Sequence, residues 1–129
     1  MTRYLFVYGT LTPDRAPDET AGAVSKLRLV GDGWTHGRMY DFGDYPGAIF
    51  SPGSSKIIGT LYELMGGMNL LRKFDIHEEF NQRHPEKSLF VRKKRMIWLN
   101  DGRRLLAWVY EYNRDPSQGR LIPQGDYQR

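Results

Sequence analysis

The sequence predicts an α+β fold in which a strongly bent, antiparallel or mixed sheet curls toward a small β-barrel accompanied by short helices. Strand-like segments outnumber helical ones along the 129 residues, and this length favours a single domain over residues 1–129. The pair Asp101–Gly102 separates two long strand-like segments and is a strong signal for a hairpin. Glycines inside the predicted strands indicate the bends that curl a sheet, at Gly33, Gly37, Gly43 and Gly59.

The first half of the chain is predicted to consist mainly of strands. An apolar strand covers residues 3–8, and a short helix is predicted from Asp18 to Leu27 because Asp18 and Glu19 suit the start of a helix. The remaining strands of this half are predicted in the segments GWTHGRMYDFG and GAIF, which Tyr45-Pro46-Gly47 separates, and in Ile57–Leu64.

The second half is predicted to contain one helix and one long hairpin. The helix runs from Met68 to about Phe80, and the two strands cover residues 90–99 and 103–112. The polar segment Asn81–Ser88 is predicted to be a loop, and the tail after Asp115 is predicted to be mostly irregular. Aromatic residues at strand spacing are expected mostly in the core: Trp34, Tyr40, Trp98, Trp108, Tyr110 and Tyr112.

Composition and charge exclude several classes of protein. There are no cysteines, and His36, His77 and His84 lack the spacing of a metal site, so no metal is expected. The net charge of +4 is modest, and strand alternation sends the cations of Arg92–Arg95 to both faces, which argues against nucleic-acid binding. The first residues do not resemble a signal peptide, and no apolar segment approaches the length that spans a bilayer. We therefore expect a cytoplasmic protein without nucleic-acid or membrane partners.

The helical segment MNLLRKFDIHEEF carries an acidic residue on its apolar face. Leu71, Phe74 and Glu78 are spaced by three and four residues, so they share one stripe of the helix. A carboxylate directed inward is costly unless it is paired or left neutral. Glu78 is therefore either the partner of a cation such as Arg92 or a general acid/base, whereas Asp75 is expected to be solvated.

The opening strand stops abruptly. Its apolar residues, Tyr4 to Tyr8, are followed by Gly9 and Thr10, and Pro13 ends any regular pairing. Two interpretations are open at this point. The segment is a simple turn, or it is a loop that presents its backbone N–H groups to a ligand.

In their order along the chain, several short motifs resemble the γ-glutamylcyclotransferase-like family, which includes the γ-glutamylamine cyclotransferases and AIG2-like proteins. Each motif is weak by itself, but their shared order covers most of the chain. The matching motifs are Tyr8-Gly9-Thr10-Leu11, Tyr45-Pro46-Gly47, Gly59-x-Leu61-Tyr62, Phe74-Asp75-x-x-Glu78, Val91-Arg92, Ala107-x-Val109-Tyr110 and Gly125-Asp126-Tyr127.

The resemblance implies a small β-barrel flanked by helices, with a cavity beside the first loop. It implies that the N–H groups of Gly9, Thr10 and Leu11 bind an oxyanion or carboxylate and that Glu78 is the general acid/base. The implied reaction converts a γ-glutamyl amide to 5-oxoproline and a free amine, without a metal or cofactor. The other implied substrate-binding residues are Tyr8, Tyr45, Pro46, Gly47, Arg92 and Tyr110.

Two functions are compatible with this resemblance. The first is the cyclotransferase enzyme, and the second is a catalytically silent protein that binds a γ-glutamyl compound or another carboxylate on the same fold. Phe90 stands where the family often has tyrosine, and Glu79 stands where it often has glycine, and both differences favour the silent protein. Arg92 either binds a substrate carboxylate or balances the charge of Glu78. The preferred leaving group and the oligomeric state are not predicted.

Overall fold

Strands dominate the computed structural model, which describes residues 2–8, 26–43, 45–53, 55–65, 67–77 and 83–126. The helices within these residues are α1 (Gly67–His77) and two short 3₁₀-helices, Pro85–Lys87 and Pro116–Gln118. None of these helices has the length and hydropathy required to cross a membrane. The strands are β1 (Tyr4–Val7), β2 (Leu27–His36), β3 (Arg38–Asp41), β4 (Pro46–Ile49), β5 (Lys56–Leu64), β6 (Phe90–Leu99), β7 (Arg104–Tyr112) and β8 (Arg120–Ile122).

Five strands close into a barrel in the order β1-β5-β2-β6-β7. Neighbouring strands of the barrel are antiparallel except β1 and β7, which run parallel where Leu5 lies beside Trp108. The register between β2 and β5 shifts between Leu29 and Gly31, and such an irregularity increases the twist that a closed sheet needs. The predicted mixed barrel of an α+β fold is therefore confirmed.

The hairpin that Asp101–Gly102 predicts joins β6 to β7. Gly102 has a φ angle of 95°, which glycine adopts without steric cost. The guanidinium and the backbone N–H of Arg103 donate hydrogen bonds to the Asp101 carboxylate at 2.8 and 3.0 Å. Chiefly because of the side-chain hydrogen bond, the pKa of Asp101 lies below its ordinary value.

A second sheet of three strands, in the order β4-β3-β8, lies beside the barrel. β8 pairs with β3 from Met39 opposite Ile122 to Asp41 opposite Arg120. The prediction of an irregular tail is wrong for residues 116–122, which form a 3₁₀-helix and this strand. A strand of three residues is too short to show an alternating pattern, and the proline and glycine around it mark the ends of short elements.

The apolar residues form two clusters, one on each side of the barrel wall. The first cluster lies between the wall and α1, where Leu71 and Phe74 are fully buried as predicted. It also contains Leu5, Val7, Tyr62, Leu64, Leu70, Phe90, Tyr110 and Tyr112. The second cluster contains no residue of α1 and includes barrel residues of alternating register, namely Phe6, Ile57, Leu61, Ile97, Leu99, Ala107 and Val109.

Three predictions about local structure need correction. Leu27 is the first residue of β2 and not the end of a helix, while residues 18–25 lie outside the described residues. The segment predicted as a loop contains the 3₁₀-helix Pro85–Lys87. Trp34 and Trp98 are only half-buried and stack on each other with their ring centroids 5.0 Å apart. Cross-strand stacking thus replaces the core packing that their strand spacing predicted.

Substitution of Gly59 by alanine should destabilise the barrel. A Cβ atom at this position would lie 2.4 Å from the carbonyl oxygen of Val7 and 2.7 Å from the Phe6 ring, so β1 would have to move. We expect a loss of about 1–3 kcal/mol in the free energy of unfolding, measured by urea denaturation. The matched control is Gly31→Ala, whose Cβ would meet its nearest neighbour at 3.9 Å and should cost much less. Equal stability of the two variants would contradict this account.

Candidate active site

Asp75 is the buried acid of α1 within the described residues. Its residue is 5% exposed, and each carboxylate oxygen has a partner on the barrel wall. The hydroxyl of Tyr110 donates to Oδ1 at 2.6 Å, and Nη1 of Arg92 lies 2.9 Å from Oδ2. The expectation that Asp75 is solvated is therefore wrong. The sequence signal that could have revealed it is the spacing of four residues from Leu71, which places both side chains on one helix face.

Arg92 lies directly opposite Tyr110 in the β6–β7 pairing, so both side chains project from the barrel toward α1. Its side chain is 7% exposed, and its guanidinium carbon lies 4.6 Å from the centre of the Trp108 ring. An ion pair buried to this degree is a charge-assisted hydrogen bond in a medium that water screens weakly. The observed ion-pair partner of Arg92 is Asp75, which precedes Glu78 by three residues in the sequence.

Tyr110 connects α1 to the end of β1. Its hydroxyl donates to Asp75, while its backbone carbonyl accepts a hydrogen bond from the hydroxyl of Tyr8. Tyr8 immediately follows β1 and also contacts Phe50, with the ring centroids 5.9 Å apart and the rings edge to face. Tyr110 is buried between the barrel wall and α1, so it fills the space outside the barrel and not its interior.

In the Tyr45-Pro46-Gly47 motif, Tyr45 precedes β4 and the other two residues begin it, and the motif packs against aromatic residues of the α1-facing cluster. The Tyr45 ring lies 5.9 Å from the Phe90 ring and 6.4 Å from the Tyr112 ring. Pro46 and Gly47 are buried, and a Cβ atom on Gly47 would lie only 3.0 Å from Tyr112. The motif therefore lies beside Phe90 and Tyr112 in the cluster that faces α1. Close packing at this position requires a residue without a side chain, which explains the glycine.

The described residues contain no group of three His, Cys, Asp or Glu side chains that could bind a metal ion. The polar side chains that the described structure links between α1 and the barrel are instead the carboxylate of Asp75, the guanidinium of Arg92 and the phenol of Tyr110. Hydrogen bonds among these groups can hold α1 in a fixed orientation relative to the end of β1. The groups are thus engaged with one another.

A model of the family described as "Gamma-glutamyl cyclotransferase, AIG2-like" matches residues 5–129. The chain belongs to this family. Among solved structures it is similar to an AIG2-like protein from Mus musculus, with 22% identity and a TM-score of 0.75 over 98% of this chain and 88% of that one. It is also similar to ytfP from Escherichia coli, with 27% identity and a TM-score of 0.63 over 96% and 95% of the two chains.

A third similar structure is named gamma-glutamyl cyclotransferase, with 16% identity and a TM-score of 0.61 over 84% of this chain and 65% of that one. No curated protein matches the chain. Identities as low as those to the mouse protein and to this third structure show the shared fold alone. The structural neighbours and the family model agree on a barrel of the γ-glutamyl cyclotransferase, AIG2-like family.

Within this γ-glutamyl cyclotransferase-family chain, the predicted substrate-binding residues Gly9, Thr10 and Leu11 and the predicted catalytic Glu78 lie outside the described residues. The described residues next to them in sequence are nevertheless linked. Tyr8 precedes Gly9, Asp75 precedes Glu78 by three positions, and both are hydrogen-bonded to Tyr110. Tyr110 thus binds the residue just before the Gly9-Thr10-Leu11 segment and a residue of the helix that precedes Glu78 in the sequence.

Proposed function

We propose that this protein is a γ-glutamyl cyclotransferase-type enzyme that converts a γ-glutamyl amide to 5-oxoproline and a free amine. The observation that carries the proposal is the double hydrogen bonding of Tyr110. It ties the residue before the Gly9-Thr10-Leu11 segment to the helix that leads to Glu78. Effective intramolecular catalysis depends on a fixed geometry, and under this proposal the shared anchor, Tyr110, holds the two segments in it. Family membership is the second support.

In the proposed mechanism Glu78 is first a base and then an acid. Its carboxylate takes a proton from the α-ammonium group of the substrate, and the free amine attacks the γ-carbonyl carbon of the same molecule. Backbone N–H groups of Gly9, Thr10 and Leu11 stabilise the tetrahedral oxyanion. The bond between the γ-carbon and the leaving nitrogen then breaks, and Glu78 returns the proton to the departing amine. The attacking nitrogen, which still carries two hydrogens, passes one of them as a proton to the released amine, so the products are 5-oxoproline with a neutral lactam and the amine as its ammonium ion, and atoms and charge balance.

The roles proposed for the surrounding residues follow from their contacts. Arg92 and Tyr110 position α1 through Asp75, and Tyr8 positions the end of β1. Tyr45, Pro46 and Gly47 form the aromatic-packed wall at the same end of the barrel. Under this proposal Arg92 acts through Asp75 and not by binding a substrate carboxylate directly.

The alternative is a silent γ-glutamyl or carboxylate-binding protein, and the packing of Phe90 favours it. Phe90 is buried, 5% exposed, and lies edge to face with Tyr112 at 5.6 Å. It has no hydroxyl to offer a substrate, so it can only pack. Under this alternative, the loop of Gly9, Thr10 and Leu11 still binds an anion, but the bound compound is not converted to product.

The two functions are separated by an assay of 5-oxoproline release from a panel of γ-glutamyl amino acids and γ-glutamyl amines. An enzyme should release 5-oxoproline from at least one of them. It should release none from the N-acetyl-γ-glutamyl counterpart, because the acetylated nitrogen can no longer attack the γ-carbonyl. Absence of product from the whole panel, together with a raised melting temperature in its presence, would reject the enzyme and support the binding protein.

A further inference from the structure

A pocket of about 440 Å³ lies in the barrel wall between β2 and β6. Its lining includes Thr35 and His36 of β2, Arg95 and Trp98 of β6, and Phe50 and Pro52 beyond β4. The helix α1 packs elsewhere, against a cluster built from β1, β5, β6 and β7. This pocket is therefore distinct from the Asp75–Tyr110 anchor.

The pocket forms because two neighbouring strands separate. The register between β2 and β6 contains only the pairs Gly33 opposite Leu99 and Trp34 opposite Trp98. One position further along β2, the backbone pairing with β6 has ended, and the Thr35 hydroxyl instead donates a hydrogen bond to the carbonyl of Met96 at 2.9 Å. A side-chain bridge in place of a strand pair leaves a gap, and the chain beyond β4 forms its other wall.

The walls of the gap are fixed in place. The backbone N–H of Phe50 donates to the buried carboxylate of Glu111 at 2.7 Å. The Trp98 ring stacks on Trp34 with an interplanar angle of 12°, and His36 contacts both rings edge-on at 5.2 and 5.1 Å. A preformed apolar wall of this kind requires little ordering when a flat ring packs on it.

The charge of the pocket is positive. Within the part of the chain that the structure describes, Arg95 donates one side-chain hydrogen bond, from Nη1 to the backbone carbonyl of Lys94 at 2.8 Å, and its other donors there remain for a ligand. Lys56 lies outside this lining, 4.1 Å from the centre of the Trp34 ring on which Trp98 stacks. No Asp or Glu is among the described residues that line the pocket. Within the described chain, Nδ1 of His36 is buried without a hydrogen-bond partner, which carries an energetic cost that a polar ligand group could remove.

We propose that this pocket is a second ligand site, for a small, flat aromatic molecule that bears a carboxylate. The ring packs against Trp98 and Phe50, and the carboxylate binds the guanidinium of Arg95, which matches carboxylate geometry with two parallel donors. The volume lies in the range of ordinary small-molecule sites, and such sites combine apolar walls with a few polar groups. The inference does not depend on the cyclotransferase activity proposed above.

The test uses the three indole N–H signals of the ¹⁵N-labelled protein, one for each tryptophan. Indole-3-acetate is the probe, and indole-3-acetamide is its neutral counterpart. The Trp98 signal, assigned with Trp98→Phe, should shift saturably with indole-3-acetate. The Trp108 signal should keep its chemical shift, because Nε1 of Trp108 donates to the carbonyl of Thr2 at 3.1 Å, and Trp108 does not line the pocket. No saturable shift of Trp98 up to about 10 mM probe would overturn the proposal.

Charge variants identify the group that binds the carboxylate. Arg95→Gln should weaken indole-3-acetate binding about tenfold and remove its advantage over the amide. Lys94→Gln removes one positive charge from the neighbouring position, whose side chain lies over Trp108, and should leave binding near the wild-type value. Equal binding of acid and amide, or equal effects of the Arg95 and Lys94 variants, would reject the assignment.

Discussion

Glu78→Gln should abolish most of the 5-oxoproline release while leaving the fold intact. Glutamine keeps the size of the side chain but can neither take the proton of the substrate ammonium nor return it to the leaving amine. General acid–base catalysis contributes about 10²–10⁴-fold to a rate, so we expect a fall of that order in kcat. The measurement is the initial rate of 5-oxoproline formation from the best substrate of the γ-glutamyl panel.

The matched control for this variant is Glu86→Gln. Glu86 is an exposed glutamate in the first turn of the 3₁₀-helix Pro85–Lys87, so the same chemical change there should leave the rate unaltered. A Glu78→Gln protein with unchanged melting temperature and full activity would remove Glu78 from the mechanism. A parallel loss in both variants would point to a general charge effect and not to acid–base chemistry.

Asp75→Ala should cause the largest loss of stability among the predicted variants. It removes the carboxylate that pairs with the buried guanidinium of Arg92 at 2.9 Å and that accepts a hydrogen bond from the Tyr110 hydroxyl at 2.6 Å. Removing one partner of a buried ion pair costs about 3–5 kcal/mol, measured here as the free energy of unfolding in urea. Asp101→Ala is the control, because its ion pair with Arg103 is exposed and should contribute far less.

A double variant tests whether loss of the Asp75–Arg92 ion pair, and not a simple loss of packing, accounts for the loss of stability. Asp75→Leu with Arg92→Met removes both charges and should recover much of the stability that Asp75→Leu alone loses. Additive losses in the double variant would show that the ion pair is not the source of the effect. A wild-type unfolding curve for Asp75→Ala would contradict the anchoring role given to this residue.

Local signals predicted the parts of the fold that depend on neighbours in sequence. The Asp101–Gly102 turn fixed the long hairpin, and the spacing of Leu71 and Phe74 fixed the buried face of α1. The start of β2 at Leu27 was missed because its strand pattern is weak, with Arg28 and Leu29 both exposed, and acidic residues further upstream suggested a helix.

The candidate site was predicted from motifs, but its supporting contacts were not. The expectation for Asp75 failed because the spacing argument considered Glu78 alone on the buried stripe. Arg92 and Tyr110 offset the energetic cost of burying the Asp75 carboxylate. They lie on β6 and β7, which come close to α1 only in the folded barrel. In the same way, the pocket beside Trp98 depends on where two strands part, which no local pattern encodes.

The parallel pairing of β1 with β7 has a consequence for how the molecule folds. Leu5 and Trp108 are neighbours in the barrel but lie far apart along the sequence. During synthesis on a ribosome, β1 can pair with β7 only after all the strands between them in the sequence and β7 itself have emerged. Such a high contact order predicts slow folding, with the β1–β7 pairing late and the local β6–β7 hairpin early.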